Sequence, residues 1–343
     1  MFTNPDYDNH EHVVFHRDPE TGLTAIIALH STVLGPAFGG CRMYPYDDED
    51  QALTDALRLS RGMTYKAAIC GLPYGGGKSV IIGDSKSDKT PSLLRAMGRL
   101  VEALGGRYII ADDVGTSLDD LAVMRQETSH TAAATAAAQE PLAVTAHGVL
   151  MAIEAAVVAQ LQRTDFAGLT VAVQGLGSVG MPLCQALQTR GAALIVTDMD
   201  AKKMAAASQD YGATAVAPDD IYDQAVDLFA PCALGAVLND QTIPRLKARI
   251  VCGGANNQLL ESRHDQALAG RGITYVPDYL ANAGGVIDFY QEFIDDSPTA
   301  ILASVERIRG ITESVLASAE ASGKTALEVA DAMVRERLKE AAS

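Results

Sequence analysis

A lysine that follows three glycines is the residue of this sequence best placed to do chemistry. Lys78 lies in the stretch LPYGGGKSVIIG, between Gly75–Gly77 and an apolar run that is typical of a buried strand. We expect these glycines to adopt positive φ and to let a ligand approach the backbone closely. A lysine held at such a junction is a usable general base when burial or a nearby cation favours its neutral form.

Two simpler interpretations compete with this one. A phosphate-binding loop requires a glycine at position 72 in this register, but that residue is Leu72, and Gly71 misses the pattern by one. A helix should also follow such a loop, whereas VIIG does not resemble one. The second interpretation, an ordinary tight turn with a surface lysine, stays open from this stretch alone.

Two further groups could act with Lys78. Lys66 ends the segment RGMTYK, and Asp113 follows the predicted strand RYIIA. Each has a structural alternative, because a lysine at a helix end is commonly solvated and an aspartate after a strand commonly caps a helix, which applies to Asp112 as well. Asn256 and Asn257 could likewise be turn formers.

Composition limits the class of protein. The 343 residues carry a net charge of −16, which argues against binding to a nucleic-acid backbone. None of the five cysteines forms a C-x-x-C pair, so no metal site or redox motif is indicated, and reduced thiols fit a cytoplasmic protein. The polar, acidic start is unlike a signal peptide, and we expect no apolar run near the ~20 residues that span a bilayer.

The first half of the chain predicts alternating strands and helices. A hairpin turns at Pro19–Gly22, and helices cover Glu49–Met63 and Pro91–Leu104, the latter capped by Thr90 or Ser92. LGPAFGGCRMYPY is rich in turn formers. TAAATAAA, at Thr131–Ala138, predicts a helix end or a link between domains, and a helix follows at Thr145–Gln162.

The second half contains a dinucleotide-binding pattern. A predicted strand, Leu169–Gln174, is followed by Gly175, Gly177 and Gly180 in the spacing G-x-G-x-x-G, which also includes Ser178 and Val179. A predicted helix, Met181–Arg190, and a second predicted strand, Ala193–Thr197, follow. That strand ends at Asp198, about 20 residues after the first glycine. Three later segments repeat the pattern of a strand that ends in small and polar residues. This context favours a bound dinucleotide over a structural glycine turn.

Taken together, these motifs resemble the Glu/Leu/Phe/Val dehydrogenase family, and specifically its leucine, phenylalanine and valine branch. The motifs run in the family's order from Leu34 to Ile287. They are LGPAFGGCRM, RGMTYKAAICGLPYGGGKSVIIGD, ADDVGT, VTAHGV, VQGLGSVG, APCALGAVLND, GGANNQL and PDYLANAGGVI.

The resemblance implies an enzyme that oxidatively deaminates an L-amino acid with a nicotinamide cofactor, giving a 2-oxo acid and ammonium. It implies an α/β fold of two domains that flank a cleft: a substrate-binding, catalytic and oligomerisation domain at residues 1–138, and a Rossmann-like NAD-binding domain at 139–322. The helix at 323–343 is expected to return to the first domain. It also implies a homo-oligomer, since relatives range from dimers to octamers.

The resemblance also implies residue roles. Lys78 matches the lysine that activates water, Asp113 the acid that exchanges a proton with the amino group, and Lys66 the lysine that holds the substrate carboxylate. A second ammonium near Lys78, such as Lys66, would favour its neutral form. The remaining implied substrate-binding positions are Phe38, Gly39, Gly40, Met63, Ala111, Asn256, Asn282, Val286 and Phe289. The implied cofactor-binding positions are Thr145, Gly175, Gly177, Ser178, Val179, Gly180, Asp198 and Asn256.

The implied side-chain pocket is apolar. Phe38 stands where glutamate-specific relatives have a lysine, and a phenyl ring cannot pair with a carboxylate. Aromatic-specific relatives tend to have a small residue there, so we favour a valine or leucine type of substrate. An aromatic substrate, phenylalanine or tryptophan, remains the alternative, and an inward-facing Asp288 would admit a polar one.

The cofactor is expected to be NAD. Asp198 would accept hydrogen bonds from the adenosine ribose and repel a 2′-phosphate, although Lys202 and Lys203 could soften that preference. A catalytically silent NAD-binding regulator is a remote alternative, and the presence of Lys66, Lys78 and Asp113 argues against it.

Overall fold

The computed structural model describes residues 2–132, 141–291 and 297–343. The chain forms two compact units, Met1–Ala136 with Arg335–Ser343, and Ala137–Val334. The predicted boundary between residues 138 and 139, and most of the TAAATAAA segment, lie outside the described residues, so the boundary stays a prediction.

The first unit contains a mixed sheet with helices on both faces. Its strands lie in the order β1-β2-β4-β3-β5, with β1 and β2 antiparallel to their neighbours and β3 parallel to β4 and β5. The elements are β1 His12–Asp18, β2 Leu23–Ser31, β3 Ala37–Tyr44, α1 Glu49–Ile69, β4 Gly75–Ile82, α2 Pro91–Glu102, β5 Tyr108–Asp112 and α3 Leu118–Met124.

Side-chain alternation along the strands divides this unit into two cores. Residues on one face, including Cys41, Ile81 and Ile110, pack with α2 and α3. Residues on the other face, including Ile26 and Val80, pack with α1. Because successive strand residues point to opposite faces, Phe38, Gly40 and Arg42 of β3 do not share the face of Cys41.

Two features of this unit differ from what the sequence suggested. LGPAFGGCRMYPY is rich in turn formers, but Ala37–Tyr44 forms β3. The helix expected to end at Met63 continues to Ile69, so Lys66 lies in its last turn. The predicted hairpin and the Thr90 cap of α2 are confirmed, since the Thr90 side chain accepts a hydrogen bond from the Leu93 backbone N–H.

The second unit contains a parallel sheet of six strands in the order β11-β10-β9-β6-β7-β8. The chain enters at β6, builds one side and then crosses to β9, which is the strand order of Rossmann sheets. Its elements are α4 Pro141–Leu161, β6 Thr170–Gln174, α5 Gly180–Thr189, β7 Ala193–Thr197, α6 Ala201–Tyr211, β8 Thr214–Ala215, β9 Leu228–Pro231, β10 Ile250–Val251, α7 Arg263–Ala269, β11 Thr274–Tyr275, α8 Asp278–Ala281, α9 Gly284–Gln291 and α10 Pro298–Ser322. The last helix, α11 Ala326–Ala341, belongs to the second unit up to Val334 and to the first unit from Arg335.

Helix α4 corrects the expectation that no long apolar run is present. Val144–Leu161 has a mean hydropathy of 1.6 over 18 residues, enough by length and composition alone to cross a membrane. Most of its residues from Val149 to Val157 are buried, and the helix packs against α5, α8, α9 and α10. These contacts make α4 a core helix of the second unit, which explains why it is apolar on all sides.

Candidate active site

Strand β4 carries Lys78 in its interior, not at a junction before the strand. Gly75–Gly77 belong to the strand, and none of the three has positive φ, contrary to expectation. Close packing, and not backbone conformation, explains why these positions are glycine. A Cβ at Gly76 would lie 2.0 Å from the Thr64 backbone N of α1, and one at Gly77 would lie 2.7 Å from the Tyr108 ring. The triplet therefore lets α1, with Lys66 two residues after Thr64, approach β4 closely.

Lys78 forms a buried ion pair with Asp113. The Lys78 side chain is 5% exposed, and its Nζ lies 2.8 Å from Asp113 Oδ2. Thr116 holds the loop after β5, because its Oγ1 accepts a hydrogen bond from the Asp113 N–H and donates one to the Cys41 carbonyl. The helix cap of α3 is Ser117, so neither Asp112 nor Asp113 fills that role. The surface-turn alternative for Lys78 and the cap alternative for Asp113 do not hold.

Gly40 makes room for this ion pair. A Cβ at Gly40 would lie 2.8 Å from the Asp113 Cβ and 3.2 Å from Lys78 Nζ, so the two side chains meet over the bare backbone of β3. Gly39 is equally restricted, because a Cβ there would lie 1.7 Å from the Gly77 carbonyl oxygen. The Tyr108 hydroxyl donates a hydrogen bond to the Gly39 carbonyl at 2.7 Å and fixes that strand segment.

Arg42 is a member of the site that the sequence analysis missed. Its Nε donates to Asp113 Oδ2 at 2.8 Å, and its Nη1 donates to Asp55 Oδ2 at 2.8 Å. The Tyr46 hydroxyl donates to the same Asp55 oxygen at 2.6 Å. Burial alone would raise the pKa of Asp113, but attraction by Lys78 and then Arg42, with their hydrogen bonds, lowers it well below its usual range. The sequence signal that could have identified Arg42 is strand alternation, which puts Arg42 on the same strand face as Gly40.

The other predicted substrate-binding residues of the first unit lie on the same elements. Phe38 shares its strand face with Gly40 and is 6% exposed, with its ring centroid 5.9 Å from that of Tyr74. Ala111 is paired with Gly40 across β3 and β5 and is half-buried. Met63 and Lys66 are half-buried and lie three residues apart on α1.

The glycine-rich loop of the second unit has the geometry that a bound pyrophosphate requires. Gly175 has φ +94°, and a Cβ at Gly180 would lie 1.8 Å from the Gly175 carbonyl oxygen. No atom of the described residues lies within 4 Å of the Cβ position of Gly177, so the backbone is open to a ligand there. Among residues 2–132, 141–291 and 297–343, no side chain caps the N-terminus of α5, at Val179, and Ser178 is exposed. Uncapped backbone N–H groups at a helix N-terminus bind phosphate.

Asp198 at the end of β7 is tied to that loop. Its Oδ2 accepts a hydrogen bond from the Leu176 N–H at 2.6 Å, and its Oδ1 accepts one from the Asp200 N–H at 2.8 Å. Partial burial raises the pKa of Asp198, but these backbone bonds and the nearby Lys203 outweigh it and lower the pKa. The carboxylate is therefore ionised at neutral pH and available beside the loop.

Asn256 and Asn282 meet in the second unit. The Asn282 Nδ2 donates to Asn256 Oδ1 at 3.0 Å and to the Gly254 carbonyl at 3.2 Å. The Asn282 Oδ1 is buried and has no hydrogen-bond partner among the described residues, so it is an acceptor suited to a ligand.

Thr145 and α9 are also in contact in this unit. A Cβ at Gly285, in the first turn of α9, would lie 3.2 Å from Thr145 Oγ1. Val286 and Phe289 lie three residues apart on α9 and are buried, as is Asp288. Helical spacing places Val286 and Phe289 on one side and Asp288 on another.

These features define a two-domain α/β protein in which one domain holds a buried lysine–aspartate pair and the other is a Rossmann domain for a dinucleotide. Residues 10–130 match the family described as Glu/Leu/Phe/Val dehydrogenase, dimerisation domain, and residues 195–342 match Glutamate/Leucine/Phenylalanine/Valine dehydrogenase. The chain belongs to the Glu/Leu/Phe/Val dehydrogenase family, whose members are NAD(P)-dependent amino acid dehydrogenases, oxidoreductases that act on CH–NH2 donors.

Similar proteins differ in their named substrates. The chain is 47% identical over 341 residues to a leucine dehydrogenase of Bacillus subtilis, covering 98% of this chain and 94% of that one. It is 43% identical over 338 residues to a phenylalanine dehydrogenase of Bacillus thermotolerans, covering 96% and 88%. The crystal structure of L-tryptophan dehydrogenase from Nostoc punctiforme matches with a TM-score of 0.82 at 44% identity, covering 97% and 96%. The two-domain fold and the family are confirmed, and the substrate is not resolved by these identities.

Proposed function

We propose that the protein catalyses the NAD-dependent, reversible oxidative deamination of an apolar L-amino acid of the valine or leucine type. The products are the 2-oxo acid, ammonium and reduced cofactor. The observation that carries this proposal is the buried pair of Lys78 Nζ and Asp113 Oδ2 at 2.8 Å, beside a strand of bare glycine backbone. A base and an acid in hydrogen-bond contact are what stepwise proton transfer requires.

The proposal assigns a role to five candidate site residues of the first unit. Lys66 binds the substrate carboxylate, which leaves Lys78 to take a proton from the water that attacks the iminium carbon. Asp113 exchanges a proton with the substrate amino group. The backbone of Gly39 and Gly40 borders the substrate. The buried Lys78 and the half-buried Asp113 are shielded from bulk water, which strengthens the electrostatic interaction between them.

The second unit holds the cofactor in this proposal. The open backbone at Gly177 and the uncapped start of α5 bind the pyrophosphate, with Ser178 and Val179 in the same turn, and Asp198 binds the adenosine ribose. Thr145, Asn256 and Asn282 would contact the nicotinamide end. NAD would supply the acceptor for the hydride from the substrate Cα. The Asn282 Oδ1, which has no partner among the described residues, would accept a hydrogen bond from the cofactor or from the substrate.

Purified protein and a panel of L-amino acids test the proposal directly. We expect NADH formation at alkaline pH with L-valine, L-leucine and L-isoleucine, weaker formation with L-phenylalanine and L-tryptophan, and none with L-glutamate. A preference for L-phenylalanine or L-tryptophan would favour an aromatic amino acid dehydrogenase instead. NAD binding without turnover of any amino acid would leave only the catalytically silent NAD-binding regulator.

Assembly and location are also part of the proposal. The first unit matches a family description that names a dimerisation domain, which supports a homo-oligomer. Four of the five cysteines are buried as thiols, which supports a reducing, cytoplasmic environment.

Replacing Phe38 by alanine should widen the substrate pocket. We expect kcat/KM for L-phenylalanine relative to L-valine to rise about tenfold or more, since hydrophobic pockets discriminate by about 1–3 kcal/mol per methylene. Steady-state kinetics on both substrates measure the ratio, which matters more than absolute rates because the new cavity also costs stability. Phe15→Ala, at an exposed phenylalanine of the same unit, is the matched control. A ratio that stays constant or falls in Phe38→Ala would show that the ring does not limit substrate size.

Removing the Asp198 charge should relax the preference for NAD. We expect the ratio of kcat/KM for NADP to that for NAD to rise about tenfold in Asp198→Asn, which corresponds to about 1.4 kcal/mol of relieved repulsion. An asparagine oxygen can still accept the hydrogen bond from Leu176 N–H, whereas Asp198→Ala loses that bond and should also raise KM for both cofactors. A wild type that already prefers NADP would refute this role of Asp198.

A further inference from the structure

Arg42 links the Lys78–Asp113 pair to helix α1. Its Nε contacts Asp113 and its Nη1 contacts Asp55, both at 2.8 Å, and its side chain is 20% exposed. Three elements thus meet at one guanidinium: β3 carries Arg42, α1 carries Asp55, and the loop after β5 carries Asp113. The planar fork of a guanidinium fixes direction as well as charge at two carboxylates, which an ammonium does not.

The hydrogen bonds to Asp113 are concentrated on one oxygen. Arg42 Nε and Lys78 Nζ both contact Oδ2. In the described part of the chain no hydrogen bond reaches Asp113 Oδ1. A carboxylate held in this way keeps one oxygen fixed and presents the other.

Arg42 is the second cation beside Asp113. Lys78 on β4 and Arg42 on β3 both contact Asp113, and Asp55 on α1 lies on the far side of Arg42. The other titratable groups near the pair are Asp112, Cys41 and Tyr46: burial raises the pKa of Asp112, raises the pKa of the Cys41 thiol to about 12, and raises the pKa of Tyr46 well above its usual range. If Lys78 gives up its proton, Arg42 is the cation in contact with Asp113 that remains.

We propose that Arg42 is a positioning residue that supplies the permanent counter-charge for Asp113, so that Lys78 is free to lose its proton and Asp113 Oδ1 is presented to the substrate amino group. This inference rests on the proposed deamination. Without Arg42, the charge of Asp113 would be offset by Lys78 alone, and a lysine that must neutralise a buried carboxylate is a poor base.

The pH dependence of kcat/KM tests this role. Loss of the Arg42 charge in Arg42→Met makes protonation of both Lys78 and Asp113 more favourable. The acid limb, which is the low-pH side of the profile of kcat/KM against pH, should therefore move to higher pH by about 1–3 units. Activity should recover at alkaline pH. Arg42→Lys keeps a charge and should show a smaller shift. Asp55→Asn removes a negative charge on the far side of Arg42, and its acid limb should move the opposite way, to lower pH.

The opposite signs separate positioning from mere loss of structure, because a structural defect lowers kcat/KM at every pH. Thermal melting of each variant shows whether it folds. If Arg42→Met does not fold, the direction of the pH shift in Asp55→Asn alone tests the inference. Acid limbs that stay in place in both Arg42→Met and Asp55→Asn would overturn the inference. A wild type that turns over no amino acid would instead refute the proposed function on which it rests.

Discussion

Lys78→Ala should reduce kcat for amino acid oxidation by about 10²–10⁴-fold, the usual contribution of a positioned general base. The physical reason is the place of Lys78 on β4, where the side chain is almost fully buried and its Nζ contacts Asp113. The mutation should leave NAD binding intact, because the dinucleotide loop lies in the other unit. Stopped-flow or steady-state assays give kcat, and quenching of intrinsic tyrosine fluorescence or calorimetry gives the NAD affinity.

Lys86→Ala, at an exposed lysine after the same strand, is the control and should retain full activity. Turnover by Lys78→Ala within a few-fold of the wild type would remove Lys78 from the chemistry. A variant that loses both turnover and NAD binding would point to a folding defect instead.

Asp113→Asn should reduce kcat by a similar factor. An asparagine cannot take a proton from the substrate ammonium, although its carbonyl oxygen can still accept hydrogen bonds from Arg42 and Lys78, so the local structure should persist. The strongly lowered pKa of Asp113 means that the wild-type carboxylate is ionised throughout the neutral and alkaline range. The loss in Asp113→Asn should therefore appear at every pH in that range, unlike the loss in Arg42→Met.

Asp112→Asn is the matched control for this substitution. Asp112 is the preceding residue, is exposed, and points to the other side of the strand end by alternation. Rates for both variants over pH 7 to 11 separate the two positions. Equal losses in the two variants would show that the negative charge of this segment matters, and not the proton transfer at Asp113.

Local patterns predicted much of this structure. Strand β6, the glycine loop, α5 and β7 lie within one or two residues of where the sequence placed them, because each is specified by residues adjacent in the chain. The candidate substrate-binding residues were predicted through resemblance to the family. Lys66, Lys78 and Asp113 lie in one unit. The residue roles themselves stay predictions until the variants are measured.

The features that sequence analysis missed depend on contacts between distant residues. Strand β3 has the composition of a turn because two of its glycines leave room for close neighbours. The Gly77 carbonyl occupies the space beside Gly39, and the Lys78–Asp113 ion pair occupies the space beside Gly40. Arg42 meets Asp113 across 71 positions of sequence, and the local alternation that puts Arg42 on the face of Gly40 does not indicate which residue it contacts there. The apolar surface of α4 is explained by helices that surround it in space.

The glycines of the neighbouring strands β3 and β4 have a consequence for directed evolution. A library that randomises both strands would place many of its substitutions at Gly39, Gly76 and Gly77, where a Cβ collides with backbone or with a packed ring. We expect productive diversity at Phe38, Met63 and Ala111, the proposed substrate-binding positions that already carry a Cβ. The close packing of β3, β4 and α1 at the glycines should keep the geometry of Lys78 and Asp113 constant while substrate preference drifts, so that one scaffold serves several amino acids.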